Sequence, residues 1–306
     1  MTRLTNASYV KIALLVLLAL VLCGGIVSCS NRCTSAFRAP VSFQNDAGVT
    51  TQEAGAGSVA GADVRNIAIA WAAGSASVTV CDDAETGGEV VFTETGAGTR
   101  NLPLRWGCEN GTLAIEYASM RNFTGCSNLG SKHLDVKVPR SVAERLGFFE
   151  LDVASGDYAV DGLTCDKMSL GIASGKVEAA NVTARVLKLD VASGNVTFNG
   201  DFYDTVNANM GSGNMNISTA HCPTYADLDM ASGSVTFGLP STSAFEVNFD
   251  ALSGKVDSDF AARGGSAPGG SPAIGTTAVY GDAGVEVTGS FDVDMASGHL
   301  AFRMAK

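Results

Sequence analysis

Apolar and polar residues alternate in short runs along most of this chain, and few stretches show helical apolar spacing. One pattern recurs seven times: LDVASGDYAV (151–160), LGIASGKVEA (170–179), LDVASGNVTF (189–198), ANMGSGNMNI (208–217), LDMASGSVTF (228–237), FDALSGKVDS (249–258) and VDMASGHLAF (293–302). In most copies apolar side chains stand five and three residues before the glycine, and two and four after it. Leu189, Val191, Val196 and Phe198 do so around Gly194. Period two on both arms predicts two short strands joined at a corner, each with one face turned inward. The glycines 156, 175, 194, 213, 233, 254 and 298 are spaced by 19, 19, 19, 20, 21 and 44 residues. The last step holds two repeats' worth of residues and the Gly-rich run ARGGSAPGGSPAIGTT. The fold class that follows is all-β. It is a single-handed parallel β-solenoid with one repeat per coil, equivalent strands stacking about 4.8 Å apart. AWAAGSASVTV, around Gly74, is a faint earlier copy.

Four segments follow from this reading. Residues 150–306 are the repeats, with a Gly-rich insertion near 261–277. Residues 63–149 hold VRNIAIAWAAGSASVTV, EVVFTET, GTLAIEY and HLDVKVP, strands expected to lead into and cap the stack. At the other end Arg303 and Lys306 are expected to blunt the last edge. Residues 30–62, rich in Ala, Gly, Ser and Thr, read as a flexible linker. Residues 1–29 place Arg3 and Lys11 before an uncharged run from Ile12 to Ser28. That length suits a signal peptide core and is slightly short of the roughly 20 residues of a membrane span. The run ends in IVSC, which resembles a bacterial lipobox. The resemblance implies cleavage before Cys29 and a lipid on its sulfur; the alternative is an uncleaved membrane anchor. Either one expects a domain attached to the cell membrane and facing outside the cytoplasm.

Charge and cysteines narrow the chemistry. Beyond residue 29 the chain carries 31 acidic against 18 basic residues, a formal −13. A chain this acidic is not expected to bind nucleic acid. Six cysteines remain after Cys29: Cys33, Cys81, Cys108, Cys126, Cys165 and Cys222. Cys108 and Cys126 flank GTLAIEY as a candidate disulfide. Cys165 and Cys222 fall in one column three coils apart, about 14 Å. That is beyond the roughly 7 Å between Cα atoms that a disulfide tolerates. With no CxxC and three histidines, no zinc site and no cofactor are expected. The Ser-Gly corner suits a tight bend, glycine supplying positive φ and serine a local backbone hydrogen bond. It lacks a GxSxG elbow, and His133, His221 and His299 hold no fixed relation to the serines, so catalysis is not expected. The outward position four before each glycine reads Asp152, Gly171, Asp190, Asn209, Asp229, Asp250 and Asp294. Its aspartates are a weak candidate column for a hard cation such as Ca²⁺, against a solvated polar face.

DVRNIAIAWAAGSASVTV, GTLAIEY, HLDVKVPRS, the serial ASG corners and the closing YGDAGVEVTGSFDVDMASGHLAF together resemble the bacterial DUF4097 family over about 64–302. They also resemble the related head-domain autotransporter adhesins. The resemblance implies a β-strand-repeat, adhesin-like, non-catalytic protein. Its partner would be a cell-surface or envelope protein or glycan. Some members belong to envelope-stress operons, which implies the alternative of a regulator or sensor of the cell-envelope stress response. The cysteines and the insertion after Phe260 depart from the family pattern. A polysaccharide-cleaving enzyme would need clustered charge, whereas the coils carry scattered Lys176, Arg185, Lys188 and Lys255.

Overall fold

The computed structural model describes residues 49, 53–96, 102–118, 130–265 and 275–305. The anchor with Cys29, the linker up to residue 48, Cys33, Cys126 and Lys306 lie outside them. Two compact units divide the described chain between Lys188 and Leu189.

The first unit contains β1 (Glu53–Ala54), β2 (Gly57–Ala60), β3 (Asn66–Cys81), β4 (Glu89–Gly96), β5 (Arg105–Glu109), β6 (Thr112–Glu116), β7 (Lys132–Pro139), β8 (Leu146–Asp161) and β9 (Thr164–Ile172). It also takes the start of β10 (Lys176–Thr219), which runs across the boundary. Strand β3 is a full coil: it lies parallel to β8 with Gly74 opposite Gly156. Its other edge pairs in parallel with β6 and β7. Beyond them the direction reverses, β4 running antiparallel to β7 and β5 antiparallel to β6. Strands β2 and β1 then pair antiparallel to β4 and β5. Strands β1 and β2 therefore lie inside the stretch read as linker, because they find edges to pair with.

The second unit contains the rest of β10, β11 (Tyr225–Met230), β12 (Ser234–Leu239), β13 (Phe245–Ala251), β14 (Lys255–Ser258), β15 (Ala262–Gly265), β16 (Thr276–Tyr280), β17 (Gly289–Met295) and β18 (His299–Met304). Here the stacking order departs from chain order. Strands β11 and β12 pair in parallel with β10 on one side. On the other side they pair with β17 and β18, not with β13 and β14. Strands β13 and β14 take the far edge of β17 and β18. The run read as an insertion supplies β15 and the first two residues of β16; β16 runs antiparallel to β13, and β15 antiparallel to β16. The last repeat is thus an inner coil, and the reversed hairpin covers the outer edge. Arg303, expected to blunt that edge, instead binds Asp259 Oδ1 at 2.9 Å.

The inward columns expected from the repeat are the core. Leu189, Val191, Val196, Phe198, Leu228, Met230, Val235, Phe237, Val293, Met295, Leu300 and Phe302 are all at most 3% exposed. Burial of each large side chain contributes roughly 1.5–3 kcal/mol. Phe245 stacks on Tyr280 at 5.4 Å between ring centroids and meets Phe291 and Phe302 at 5.2 and 4.9 Å. At the corners the repeat glycines all have positive φ, from 105° to 145°. The serines serve backbone. Ser232 and Ser297 donate to the carbonyls of Gly211 and Ala231 in the adjoining coils, at 3.3 and 3.2 Å.

One buried charge interrupts the first unit's core. Lys132 Nζ, fully covered, lies 2.7 Å from Glu94 Oε2 and 2.9 Å from Leu102 O, and also donates to Tyr117 O. It sits 4.0 Å from the centre of the Tyr117 ring and 5.0 Å from that of Trp71. Three acceptors and two aromatic faces replace the water that the ammonium gave up.

Candidate functional site: an acidic sheet face

Strands β11, β17, β13 and β16 lie side by side, and alternation along each turns one residue in two outward. In the inner three, Leu228, Val293 and Phe249 face the core while Asp229, Asp294 and Asp250 face out, half-buried. In-register pairing converts this alternation into rows. One row reads Asp227, Asp292, Asn248 and Thr277; the next reads Asp229, Asp294 and Asp250. Tyr225 and Glu246 flank them, in register through Ser290. These four strands contain no lysine or arginine. A surface cleft of about 380 Å³ lies over the rows, with Gly275, Thr276 and Thr277 at one side.

Like charges on neighbouring strands oppose folding. Two unit charges about 5 Å apart repel by roughly 3 kcal/mol at an effective dielectric constant of about 20. Local donors offset part of this. Tyr225 Oη donates to Asp292 Oδ2 at 2.9 Å, and Asn248 Nδ2 to Asp292 Oδ1 at 3.0 Å. Thr277 Oγ1 donates to Asn248 Oδ1 at 2.9 Å, holding that amide in place. Asp250 Oδ1 accepts the Gly275 N–H at 2.9 Å. Burial pushes the Tyr225 phenol up to about 12, helped by its bond to Asp292 and by the negative field of Asp227, Asp292 and Asp229.

The aspartate column expected from the repeat is only partly brought together. Asp229, Asp294 and Asp250 are successive neighbours, with Asp294 in the middle because its coil is the inserted one. Asp190 instead accepts from Asn209 Nδ2 at 2.7 Å. Asp152, in the first unit, stands opposite Ala70 and Gly171, with no carboxylate across from it. Among the described residues no group of three or more His, Cys, Asp and Glu side chains is gathered to hold a metal ion. The row of Asp227 and Asp292 was not singled out from sequence. Its signal is the Asp-x-Asp spacing in DLD and DVD, which puts two carboxylates on one strand face.

The remaining candidates are dispersed. Cys108 is a free thiol 3.8 Å from Asp63 O, and its expected partner Cys126 lies outside the described residues. Cys165 and Cys222 are each free thiols; burial pushes the first up to about 12 and the second to about 11. One histidine meets a serine outside the Ser-Gly corners: His133 Nδ1 is 2.8 Å from Ser75 Oγ, on an exposed surface just after Gly74. His221 pairs with Asp201 and His299 with Asp257. Lys176, Arg185 and Lys255 are paired with Glu178, Asp166 and Asp257, which leaves them poorly placed to grip an acidic glycan.

Residues 127–267 match the family model described as Toastrack DUF4097. The match is narrower than the sequence resemblance and leaves out β3, β17 and β18. Two crystal structures are similar at low identity. The "putative cell adhesion protein" of Clostridium sporogenes is 9% identical, covering 83% of this chain and 100% of its own, with a TM-score of 0.37. The "putative adhesin" of Bacteroides fragilis is 12% identical, covering 82% and 98%, with a TM-score of 0.42. No curated protein matches the chain.

Proposed function

With residues 127–267 assigned to the Toastrack DUF4097 family, we propose that this chain is a membrane-anchored, extracytoplasmic interaction module, adhesin-like and non-catalytic. The observation that carries the reading is the outward face of β11, β17 and β13. It gathers Asp227, Asp229, Asp292, Asp294 and Asp250 without a basic residue among them. Mutual repulsion on that face is relieved by a cationic partner. The partner chemistry that fits is a Lys/Arg-rich protein segment or an amine-bearing glycan at the cell surface or envelope. Stability given up at a face of this kind points to binding as its use.

The test is a binding titration against lysine-rich peptides and amine-bearing glycans over a range of salt. Replacing both Asp292 and Asp294 by Asn is expected to weaken binding about tenfold and flatten its salt dependence. The same variant is expected to melt no lower than the parent, since two repelling charges are gone. Binding that ignores both the substitutions and salt would refute the reading. No helix among the described residues is long and apolar enough to cross a membrane, and residues 1–29 lie outside them. Anchoring therefore rests on the lipobox at Cys29. Cys29→Ala is expected to abolish fatty-acid labelling. Label that persists would reassign the anchor.

A further inference from the structure

The coil made by β17 and β18 is the last repeat in sequence but does not end its stack. It fills a gap one coil wide, with parallel ladders on both sides. On one side it donates to carbonyls of the preceding coil: Ala296 N to Met230 O at 2.9 Å, and His299 N to Gly233 O at 2.9 Å. On the other side it accepts from the following coil: Leu252 N to Met295 O at 3.0 Å, and Lys255 N to Gly298 O at 2.9 Å. Phe291 and Phe302 plug the gap from inside, packed on Phe237 and Phe245.

An occupant of this gap must meet narrow demands. It needs two extended arms running parallel to both walls and aromatic residues at the Phe291 and Phe302 positions. At the corner it needs glycine, because a Cβ on Gly298 would lie 2.5 Å from Gly233 O. Of the seven repeat coils only that of β17 and β18 carries aromatic residues at both positions, so the occupant that fits is this coil, from this chain or from another copy of it. The link to the rest of the chain is slight. Asp282–Thr288 are seven exposed residues in a row, and nothing lies within 4 Å of a Cβ built on Gly284. Arg263 steadies the start of this link through Gly281 O and Val285 O, at 2.8 and 2.7 Å.

We propose that the gap between β11–β12 and β13–β14 accepts the C-terminal coil of a second copy of this chain. Two chains then exchange Gly289–Met304 and are joined through coils that keep their ladders and their aromatic plugs. Only the exposed link changes course, so the exchanged and closed forms differ little in contacts, and protein concentration during folding selects between them. Once seated, an exchanged coil is held by two ladders and leaves slowly.

The experiment refolds the full-length chain at low and high concentration, with and without a large excess of a biotinylated peptide spanning Gly289–Lys306. At high concentration a dimer is expected that survives dilution. The peptide is expected to be retained on the refolded chain and to abolish the dimer. A peptide carrying Gly298→Val is expected to do neither. Deleting Asp282–Thr288 adds a second arm. Tyr280 and Gly289 lie on either side of Phe245, two strand spacings apart or about 10 Å. With Gly281 alone between them, two peptide links reach at most about 7.6 Å. The chain's own coil can then no longer be seated, and the dimer is expected to become the main species. A wild-type chain that stays monomeric and retains no peptide overturns the proposal. So does a dimer whose amount the peptide leaves unchanged.

Discussion

Gly213→Val is expected to destabilise the 189–306 unit by about 3–5 kcal/mol, against less than about 1 kcal/mol for the neighbouring Ser212→Ala. Two costs combine at the glycine. Its φ is +113°, a region that a β-branched residue enters only with strain. A Cβ there would lie 2.0 Å from Gly194 O and 2.9 Å from Gly194 N, and both atoms are backbone. Neither can yield without parting two coils. The next corner is equally tight, a Cβ on Gly233 falling 2.3 Å from Gly213 O. Gly254 differs because it lies beyond the inserted coil. Its nearest atoms are Gly298 O and the flexible Met295 Cε, both at 2.8 Å. Gly254→Ala should therefore cost visibly less than Gly213→Ala. Hydrogen exchange, read separately over the two units, measures both comparisons. Equal costs at Gly213 and Ser212 would remove the corner argument.

Glu94→Ala is expected to cost the first unit about 3–5 kcal/mol, because it leaves the Lys132 ammonium buried without its carboxylate. The double replacement Lys132→Met with Glu94→Leu should restore part of that, since apolar groups suit the Trp71 and Tyr117 rings better than a lone charge, while Leu102 O, Tyr117 O and the Leu104 N–H lose their side-chain partners. Chemical denaturation of the four-member cycle decides it; a double variant as unstable as Glu94→Ala refutes the account. The pH dependence has a definite sign. Burial lowers the Lys132 pKa below its ordinary value of 10.5, and Glu94 only partly offsets this. Between the lowered folded value and the unfolded one, the unfolded chain holds more protons. This group's contribution to stability therefore rises with pH across that interval, and its penalty is complete below it.

The inward columns and the corner were legible because they are local. Leu189, Val191, Val196 and Phe198 announce their face by spacing alone, and all four are buried. Stacking order was not legible, for the same reason that the repeat was so clear. LDMASGSVTF and VDMASGHLAF are near-copies, so either could neighbour a third. Nothing in a periodic pattern says which edge meets which. The segment that decides the matter, TTAVY of β16, carries no ASG corner and turns antiparallel to β13, which lets the chain return to an inner place. The acidic face was half legible. The column of Asp229, Asp250 and Asp294 was read in chain order, while the row of Asp227 and Asp292 needed register as well as spacing. Lys132 gave no sign at all. A lysine standing just before HLDVKVP reads as the start of a strand until Glu94 of β4, Leu102 and Tyr117 arrive from other parts of the chain.

The disagreement between chain order and stacking order also bears on how the protein folds. In a solenoid stacked in sequence, each coil can close on the one before it as soon as it exists, over separations like the 19 residues between Asn209 and Asp190. Here the coil of β17 and β18 makes contacts 67 residues away at Tyr225, and the coil of β3 makes contacts 82 residues away at Phe148. Loops of that size must close before those contacts can form, which raises contact order and slows folding. The second unit cannot be completed until its last residues have left the ribosome. Its final fifteen or so residues are the ones that turn an open edge into a closed stack.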